Sequence, residues 1–251
     1  MPRQNVLLFI EPEQYYLIYG SAVIREIVAA HARPGYTIRE LKASQAMPDT
    51  INASLSELDP IFFWGVGHGN TNLYSVEGKT IYMRTCDANA ARMAGRVVHL
   101  NSCLTAVSLG PDLINDKHAL TYSGSNQEFW FWIGSGPGTD RASKTVFLAE
   151  YQFDASLMDG KNTGQARADQ LAKYDEEIAY WTTGEGRTDP HAADLARILQ
   201  IDKEIATMLG RADVVVCSGG APPGVVPDMS FLMAFPVLFG GIIFGRQTEK
   251  K

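Results

Sequence analysis

The chain has few cysteines and no run of basic residues, and each shortage argues against a class of protein. Three cysteines occur among 251 residues: Cys86, Cys103 and Cys217. This odd, sparse set does not indicate a disulfide framework, and the lack of a C-x-x-C motif or a closely spaced Cys/His pair argues against zinc. The net charge is −6, with no basic stripe carrying aromatic residues, so we expect no nucleic-acid partner.

Export signals and dense acidic loops are also missing from the sequence. The first apolar run, Val6 to Ile10, is too short for the core of a signal peptide, so we expect a cytoplasmic protein. No loop has the alternating carboxylates that are typical of a calcium site, and we predict neither a metal nor another cofactor. The aspartates considered for calcium are Asp87, Asp112, Asp116 and Asp140.

Short apolar runs alternate with segments of helical periodicity along most of the chain. Such alternation favours an α/β fold, a doubly wound, mostly parallel six-stranded sheet flanked by helices, over residues 1–217. The predicted strands are 6–10, 37–41, 61–66, 97–100, 119–123 and 214–217. The predicted helices include 24–31, 51–58, 88–94, 111–115, one with Leu171, Tyr174, Ile178 and Trp181 on one face, and one from Asp189-Pro190 through Met208. A hairpin around Gly78-Lys79 is predicted over 72–84.

Two of the predicted strands end in residues that could perform chemistry. The third strand runs into Gly67-His68-Gly69, and the fourth ends at Cys103, 35 residues after His68. Ligands of open α/β sheets bind beyond the carboxyl ends of the strands, and a cysteine nucleophile needs a base or cation nearby. A lone cysteine or histidine is more often structural, but the pair in this context favours catalysis.

The chemistry expected of this pair is acyl transfer. Cys103 attacks a carbonyl carbon, and His68 protonates the leaving amine and then activates water. The backbone N–H groups of Gly69 and Cys103 are the predicted oxyanion hole.

The two strand ends resemble those of the caspase, legumain, clostripain and gingipain superfamily, with gingipain-like members the nearest. Two motifs are typical of this superfamily. One is an apolar strand that ends in His-Gly, here residues 62–69, and the other is an apolar strand that ends in a small residue and Cys, here residues 97–103. The interval between them is shorter than the ~50 residues typical of caspases. The resemblance implies a caspase-like fold and a cysteine endopeptidase whose partner is a peptide or protein substrate.

The same resemblance implies a set of substrate-binding residues. Residues 120–125 look like the strand after the nucleophile, and the aromatic run 129–132 takes the place of a wall of the specificity pocket. The implied substrate contacts are Asn101, Ser123, Ser125, Glu128 and Trp130. Because Asn101 is neutral where an acidic residue would select a basic side chain, the resemblance fixes no residue preference. Packing in the core is an equal alternative for the tryptophans.

The C-terminal segment differs in composition from the rest of the chain. Residues 218–228 have the Gly/Pro pattern of a linker, and residues 229–251 form an apolar tail with a basic end. The 17 residues of 229–245 reach the lower limit for crossing a bilayer, which favours a membrane anchor. A hairpin that turns at Gly240-Gly241 is the alternative.

Two other functions remain open from the sequence. One is a catalytically silent caspase-like module that serves as a scaffold, which the intact His/Cys pair disfavours. The other is a hydrolase like the glutamine amidotransferases, which place their nucleophile in a glycine-flanked elbow. The segment Asn101 to Thr105 has no such glycines.

Overall fold

The structure is a computed structural model, and it describes residues 4–13 and 16–218. The predicted linker beyond Ser218 and the predicted apolar tail lie outside these residues. Among the helices that are described, none combines the length and the apolar character needed to cross a membrane.

A six-stranded sheet forms the centre of the fold, and a smaller three-stranded sheet lies beside it. The strands are β1 (Val6–Glu11), β2 (Thr37–Lys42), β3 (Phe62–Val66), β4 (His68–Asn70), β5 (Leu73–Ser75), β6 (Ile81–Arg84), β7 (Val97–Asn101), β8 (Thr121–Ser125) and β9 (Ala206–Gly210). The central order is β2-β1-β3-β7-β8-β9, with β4, β5 and β6 in the smaller sheet. Neighbouring central strands are parallel except β8 and β9, which confirms the mostly parallel six-stranded sheet.

Helices cover both faces of the central sheet, as a doubly wound fold requires. They are α1 (Leu17–His31), α2 (Pro48–Leu58), α3 (Ala88–Ala91), α4 (Leu109–Asn115), α5 (Arg141–Glu150), α6 (Gln152–Met158), α7 (Thr163–Thr182) and α8 (Ala192–Ile205). One apolar core joins the sheet to α1 and α5 to α8, and a second joins the opposite face to α2, α3 and α4.

Burial on both faces explains why β3 is apolar throughout. Phe62 and Trp64 of β3 enter the core on the α5 side, while Phe63 between them enters the core on the α2 side. Because both faces are covered by helices, strands of this kind have no solvent-facing row of polar side chains.

Two predicted elements near the end of the described chain are wrong. The sixth strand is β9, not residues 214–217, where Val215 makes only an isolated bridge with Asn162. The last helix begins at Ala192 and ends at Ile205, so Met208 lies in β9 instead of on a helix. The segment Ala206–Gly210 contains good helix formers, and pairing with β8 overrides that local preference.

The predicted hairpin is confirmed, since β5 and β6 pair in antiparallel orientation around Gly78 and Lys79. Both turn residues have left-handed backbone conformations, with φ of 66° and 57°. The hairpin belongs to the small sheet whose first strand starts at His68, so it helps to hold that residue in place.

Candidate active site

The carboxyl ends of β3 and β7 bring the two predicted catalytic residues to one edge of the sheet. The strands are adjacent and parallel, and Val66 pairs with Asn101 at the last position. His68 and Cys103 each follow their strand by two residues. The prediction that both lie at the same edge is therefore confirmed.

The loops that carry His68 and Cys103 are in backbone contact. The N–H of Gly67 donates to the carbonyl of Asn101 over 3.2 Å. A Cβ placed on Gly69 would lie 2.5 Å from the carbonyl oxygen of Cys103 and 2.6 Å from Cγ2 of Thr105. No side chain fits at such distances, so glycine at position 69 is what allows the two loops to meet.

His68 is held by the small sheet rather than by the central one. It is partly buried at the start of β4 and pairs with Ser75 of β5. The hydroxyl of Ser75 donates to the carbonyl of His68 over 3.3 Å. The backbone that carries the imidazole is thus fixed by its pairing with β5.

Cys103 is buried, with 1% of the residue exposed, and it contacts the segment that follows β8. The N–H of Phe129 donates to its Sγ over 3.4 Å. Burial raises the pKa of the thiol to about 11; the N–H of Phe129 lowers it, and the carboxylates of Glu128 and Asp202 raise it by smaller effects. The sulfur is therefore a neutral thiol at pH 7 in this conformation.

The end of β8 and the segment after it are joined to the Cys103 loop by two backbone hydrogen bonds. Leu104 N–H donates to the carbonyl of Gln127 over 2.9 Å, and Ala106 N–H donates to the carbonyl of Ser125 over 3.0 Å. We call residues 126–130 the covering segment.

Three of the predicted substrate contacts are buried residues of the central strands β7 and β8. Tyr151 donates from its hydroxyl to Oδ1 of Asn101 over 3.2 Å. Ser125 ends β8, and Ser123 lies two residues deeper, paired with His99. Neither serine Oγ has a hydrogen-bond partner within the described ranges. A substrate contact by these residues remains a prediction, and Ser123 is the deepest of them.

The other two predicted contacts, Glu128 and Trp130, belong to the covering segment and are partly exposed. The N–H of Trp130 donates to Oδ1 of the buried Asp202 on α8, over 3.0 Å. Burial raises the pKa of Asp202 well above its ordinary value. The indole of Trp130 lines a cavity of about 250 Å³ with four residues of α8, Asp194, Arg197, Ile198 and Ile201.

Sequence reasoning missed Glu11, a buried carboxyl group at the same edge of the sheet. It ends β1, the strand next to β3, and none of it is exposed. Arg25 donates to Glu11 Oε2 over 3.1 Å, yet burial, helped by Glu40, raises the pKa of Glu11 to about 7. The signal was an apolar run that stops directly at a carboxylate.

A buried cluster around His99, inside β7, was also missed. Asp154 contacts His99 Nδ1 at 2.7 Å, and Glu150 contacts Nε2 at 3.0 Å. Burial lowers the pKa of His99, but the two carboxylates outweigh burial and raise it to about 10. Tyr174 and Gln170 of α7 also donate to Glu150. Both ring nitrogens are occupied, so His99 is not a base for Cys103.

Two of the aspartates considered for calcium cap helices. Asp87 and Asp140 accept hydrogen bonds from backbone N–H groups at the starts of α3 and α5, over 2.7 Å in each case. Within residues 4–13 and 16–218, no group of three or more His, Cys, Asp or Glu side chains has an arrangement that could hold a metal ion.

Comparison of the sequence with models of protein families and with curated proteins found no match in either set.

Proposed function

We propose that this chain is a cysteine endopeptidase of the caspase-like type, with Cys103 as nucleophile and His68 as general acid and base. The observation that carries the proposal is the contact between Gly69 and the carbonyl of Cys103. That contact fixes the two loops against each other at the carboxyl edge of adjacent parallel strands, the usual location of ligands in open α/β sheets.

Each residue has a role in the proposed reaction. His68 takes the proton of the Cys103 thiol, the sulfur bonds to the scissile carbonyl carbon, and the former carbonyl oxygen gains negative charge. The N–H groups of Gly69 and Cys103 stabilise that charge, each by about 3 kcal/mol. His68 delivers a proton to the amine that leaves and then takes one from the water that releases the acyl group.

The described conformation corresponds to a resting state in this proposal. The covering segment donates to the sulfur through Phe129, and burial keeps the thiol neutral. A peptide that displaces this segment exposes the sulfur to solvent and to His68. Loss of burial lowers the pKa of the thiol toward its ordinary value, and proximity to the imidazole favours the thiolate.

The burial of Cys103 also favours a second candidate, a catalytically silent module of the same fold. If the sulfur stays covered, Cys103 has only a structural role, and the chain would act as a scaffold that binds other proteins. The two candidates differ in whether the covering segment opens to a substrate.

The test is covalent labelling of Cys103 by a peptidyl electrophile, with the modified residue mapped by mass spectrometry. A Cys86→Ser background removes the exposed thiol, and the buried Cys217 serves as an internal control for unfolding. We expect labelling at Cys103 alone, lost in Cys103→Ala and slowed about 100-fold or more in His68→Asn.

The matched control is His118→Asn. His118 is exposed and has φ of 60°, a conformation that asparagine tolerates, so this variant should label at the wild-type rate. Equal labelling of wild type and His68→Asn would exclude His68 from the mechanism. No labelling of a protein that unfolds cooperatively would favour the scaffold.

Cytoplasmic location and membrane attachment through residues 229–245 remain part of the proposal. Fractionation of cells that express the full chain, compared with a chain ending at residue 228, tests the attachment. Equal recovery of both chains in the soluble fraction would exclude it.

A further inference from the structure

The covering segment, residues 126–130, is attached at both of its ends to the last turn of α8. At one end, the N–H of Asn126 donates to the carbonyl of Ile205 over 3.1 Å. At the other end, the N–H of Trp130 donates to Oδ1 of Asp202 over 3.0 Å. The first attachment joins two main-chain groups, whereas the second depends on a side chain. The attachment at Asp202 is therefore one that a single substitution can remove.

The middle of the covering segment lies over the sulfur. The N–H of Phe129 donates to Cys103 Sγ over 3.4 Å, and only 1% of Cys103 is exposed. The ring of Phe129 is buried, with its centroid 5.9 Å from the ring of Phe147 and 6.5 Å from the ring of Phe131. Burial of an aromatic ring favours this closed arrangement, which is therefore the resting state of the segment.

The carboxyl group that anchors the segment opposes closure at the same time. Asp202 is fully buried, and its second oxygen, Oδ2, has no hydrogen-bond partner among the residues that the structure describes. A buried polar atom without a partner costs free energy, and water that reaches the carboxyl group on opening would remove that cost. Opening thus exchanges the bond to Trp130 for hydration of both oxygens, which narrows the difference in free energy between the closed and open arrangements.

The packing next to the anchor is incomplete. A cavity of about 250 Å³ is lined by Trp130 and by Ile198 and Ile201 of α8. Atoms at the wall of a void lack the van der Waals contacts that close packing would give them. At this end the hydrogen bond to Asp202 therefore carries much of the attachment between the covering segment and the helix.

We propose that the covering segment is an autoinhibitory strap, which the side chain of Asp202 holds closed over Cys103 and which opens when the bond between Trp130 and Asp202 breaks. This inference rests on the proposed function in one respect, that Cys103 is the nucleophile whose access the strap controls. The opening itself requires neither a peptide nor His68.

The experiment measures the rate at which iodoacetamide alkylates Cys103, because a reagent in solution reaches the covered sulfur only when the strap is open. The parent protein carries Cys86→Ser, and mass spectrometry quantifies alkylation at Cys103 and at the buried Cys217. Asp202→Leu removes the acceptor of the Trp130 N–H and keeps a side chain of similar size. We expect alkylation of Cys103 at least about 5-fold faster than in the parent, with the rate at Cys217 unchanged.

Two variants on the last turn of α8 are the matched controls. Asp202→Asn keeps an oxygen that can accept the N–H of Trp130, so Cys103 should react within about 2-fold of the parent rate. Glu204→Leu also replaces a carboxyl group by leucine, but at an exposed position, and should leave the rate at Cys103 unchanged.

A second measurement needs no substitution at Asp202. Hydrogen exchange of the parent protein should show the amides of Phe129 and Trp130 exchanging faster than the amides within β8, because the strap opens while the sheet stays intact. Exchange at these two amides as slow as within β8 would overturn the strap, even if Asp202→Leu does not fold.

The outcomes distinguish the strap from the peptidase. Equal rates for the parent and Asp202→Leu, or the same acceleration at Cys103 and Cys217, would overturn the strap. Faster alkylation of Cys103 alone in Asp202→Leu, with no labelling by a peptidyl electrophile, would support the strap and overturn the peptidase. Labelling by the peptidyl electrophile, with alkylation that is independent of Asp202, would support the peptidase and overturn the strap.

Discussion

Gly69 shows how one residue type decides whether two loops can meet. Its Cα approaches the Cys103 carbonyl so closely that any side chain would collide with main-chain atoms, which cannot move aside as a flexible side chain can. The sequence displayed this glycine next to a histidine, but the reason for it became visible only with the neighbouring loop in place.

Replacing Gly69 by alanine should therefore separate the two loops. We expect Gly69→Ala to lower the free energy of unfolding by about 1–3 kcal/mol and to slow labelling of Cys103 by at least 10-fold. Urea denaturation and the labelling rate measure the two effects. Gly136→Ala is the control, because a Cβ at Gly136 meets only the side chain of Thr139, at 3.2 Å. Unchanged labelling in Gly69→Ala would contradict the role given to the contact.

The sequence was enough to predict that His68 and Cys103 share an edge of the sheet. It did not identify the carboxyl groups whose pKa values are changed by burial. His68 and Cys103 could be placed because each follows an apolar strand, and strand ends of a parallel sheet meet. Asp202 has no local pattern that separates it from surface carboxylates, and the only local signal of Glu11 is its place at the end of an apolar run. Their perturbed pKa values arise from neighbours distant in sequence, which a single sequence does not reveal.

At the scale of elements, the His99 cluster ties the strand that carries Cys103 to the helical layer. The imidazole belongs to β7, Glu150 ends α5, Asp154 lies in α6, and Tyr174 comes from α7. Four elements are joined through one buried charge and its partners. Such a cluster is costly to break, because removing the cation leaves two carboxylates in the core.

We expect His99→Gln to lower the free energy of unfolding by about 3–5 kcal/mol at pH 7. Glutamine has a similar reach but supplies no positive charge to Glu150 and Asp154. Urea denaturation measures the loss, and the exposed His118→Asn serves as the reference that should change stability little. A loss below 1 kcal/mol would mean that the two carboxyl groups take up protons and make the cation dispensable.

Elements with strong periodicity were predictable, and the last strand was not. Residues 62–66 are apolar at every position and residues 97–101 at all but His99 and Asn101, as is typical of buried parallel strands, and both were found near the predicted bounds. Residues 206–210 follow a helix without a proline or a glycine at the junction, so the helical pattern appeared to continue through Met208. Antiparallel pairing with β8, a long-range interaction, ends the helix at Ile205.

For the whole molecule, Glu11 makes stability depend on pH. Its pKa rises from 4.5 to about 7 on folding, so the folded state holds this proton more tightly than the unfolded state. The resulting stabilisation is fully present below pH 4.5 and is lost as the pH rises through 7, a change of about 3 kcal/mol.

Glu11→Gln removes this titration while keeping the size of the side chain. As the pH rises from 4.5 to 7.5, the wild type should lose about 3 kcal/mol of unfolding free energy relative to Glu11→Gln. Above pH 8 the difference between the two proteins should stay constant. Urea denaturation across this range provides the measurement. A constant difference throughout, or a shift in favour of the wild type, would contradict the assigned direction.

The last described residues are hydrogen-bonded to the segment before β1, at the amino ends of the strands. Asn5, which precedes β1, donates its N–H to the carbonyl of Val216 over 2.8 Å and accepts the N–H of Ser218 on Oδ1 over 2.8 Å. His68 and Cys103 follow the opposite, carboxyl ends of parallel strands. Ser218 therefore lies at the end of the sheet opposite to His68 and Cys103, so a shortened chain attached to a solid support at Ser218 would hold its reactive edge facing outward.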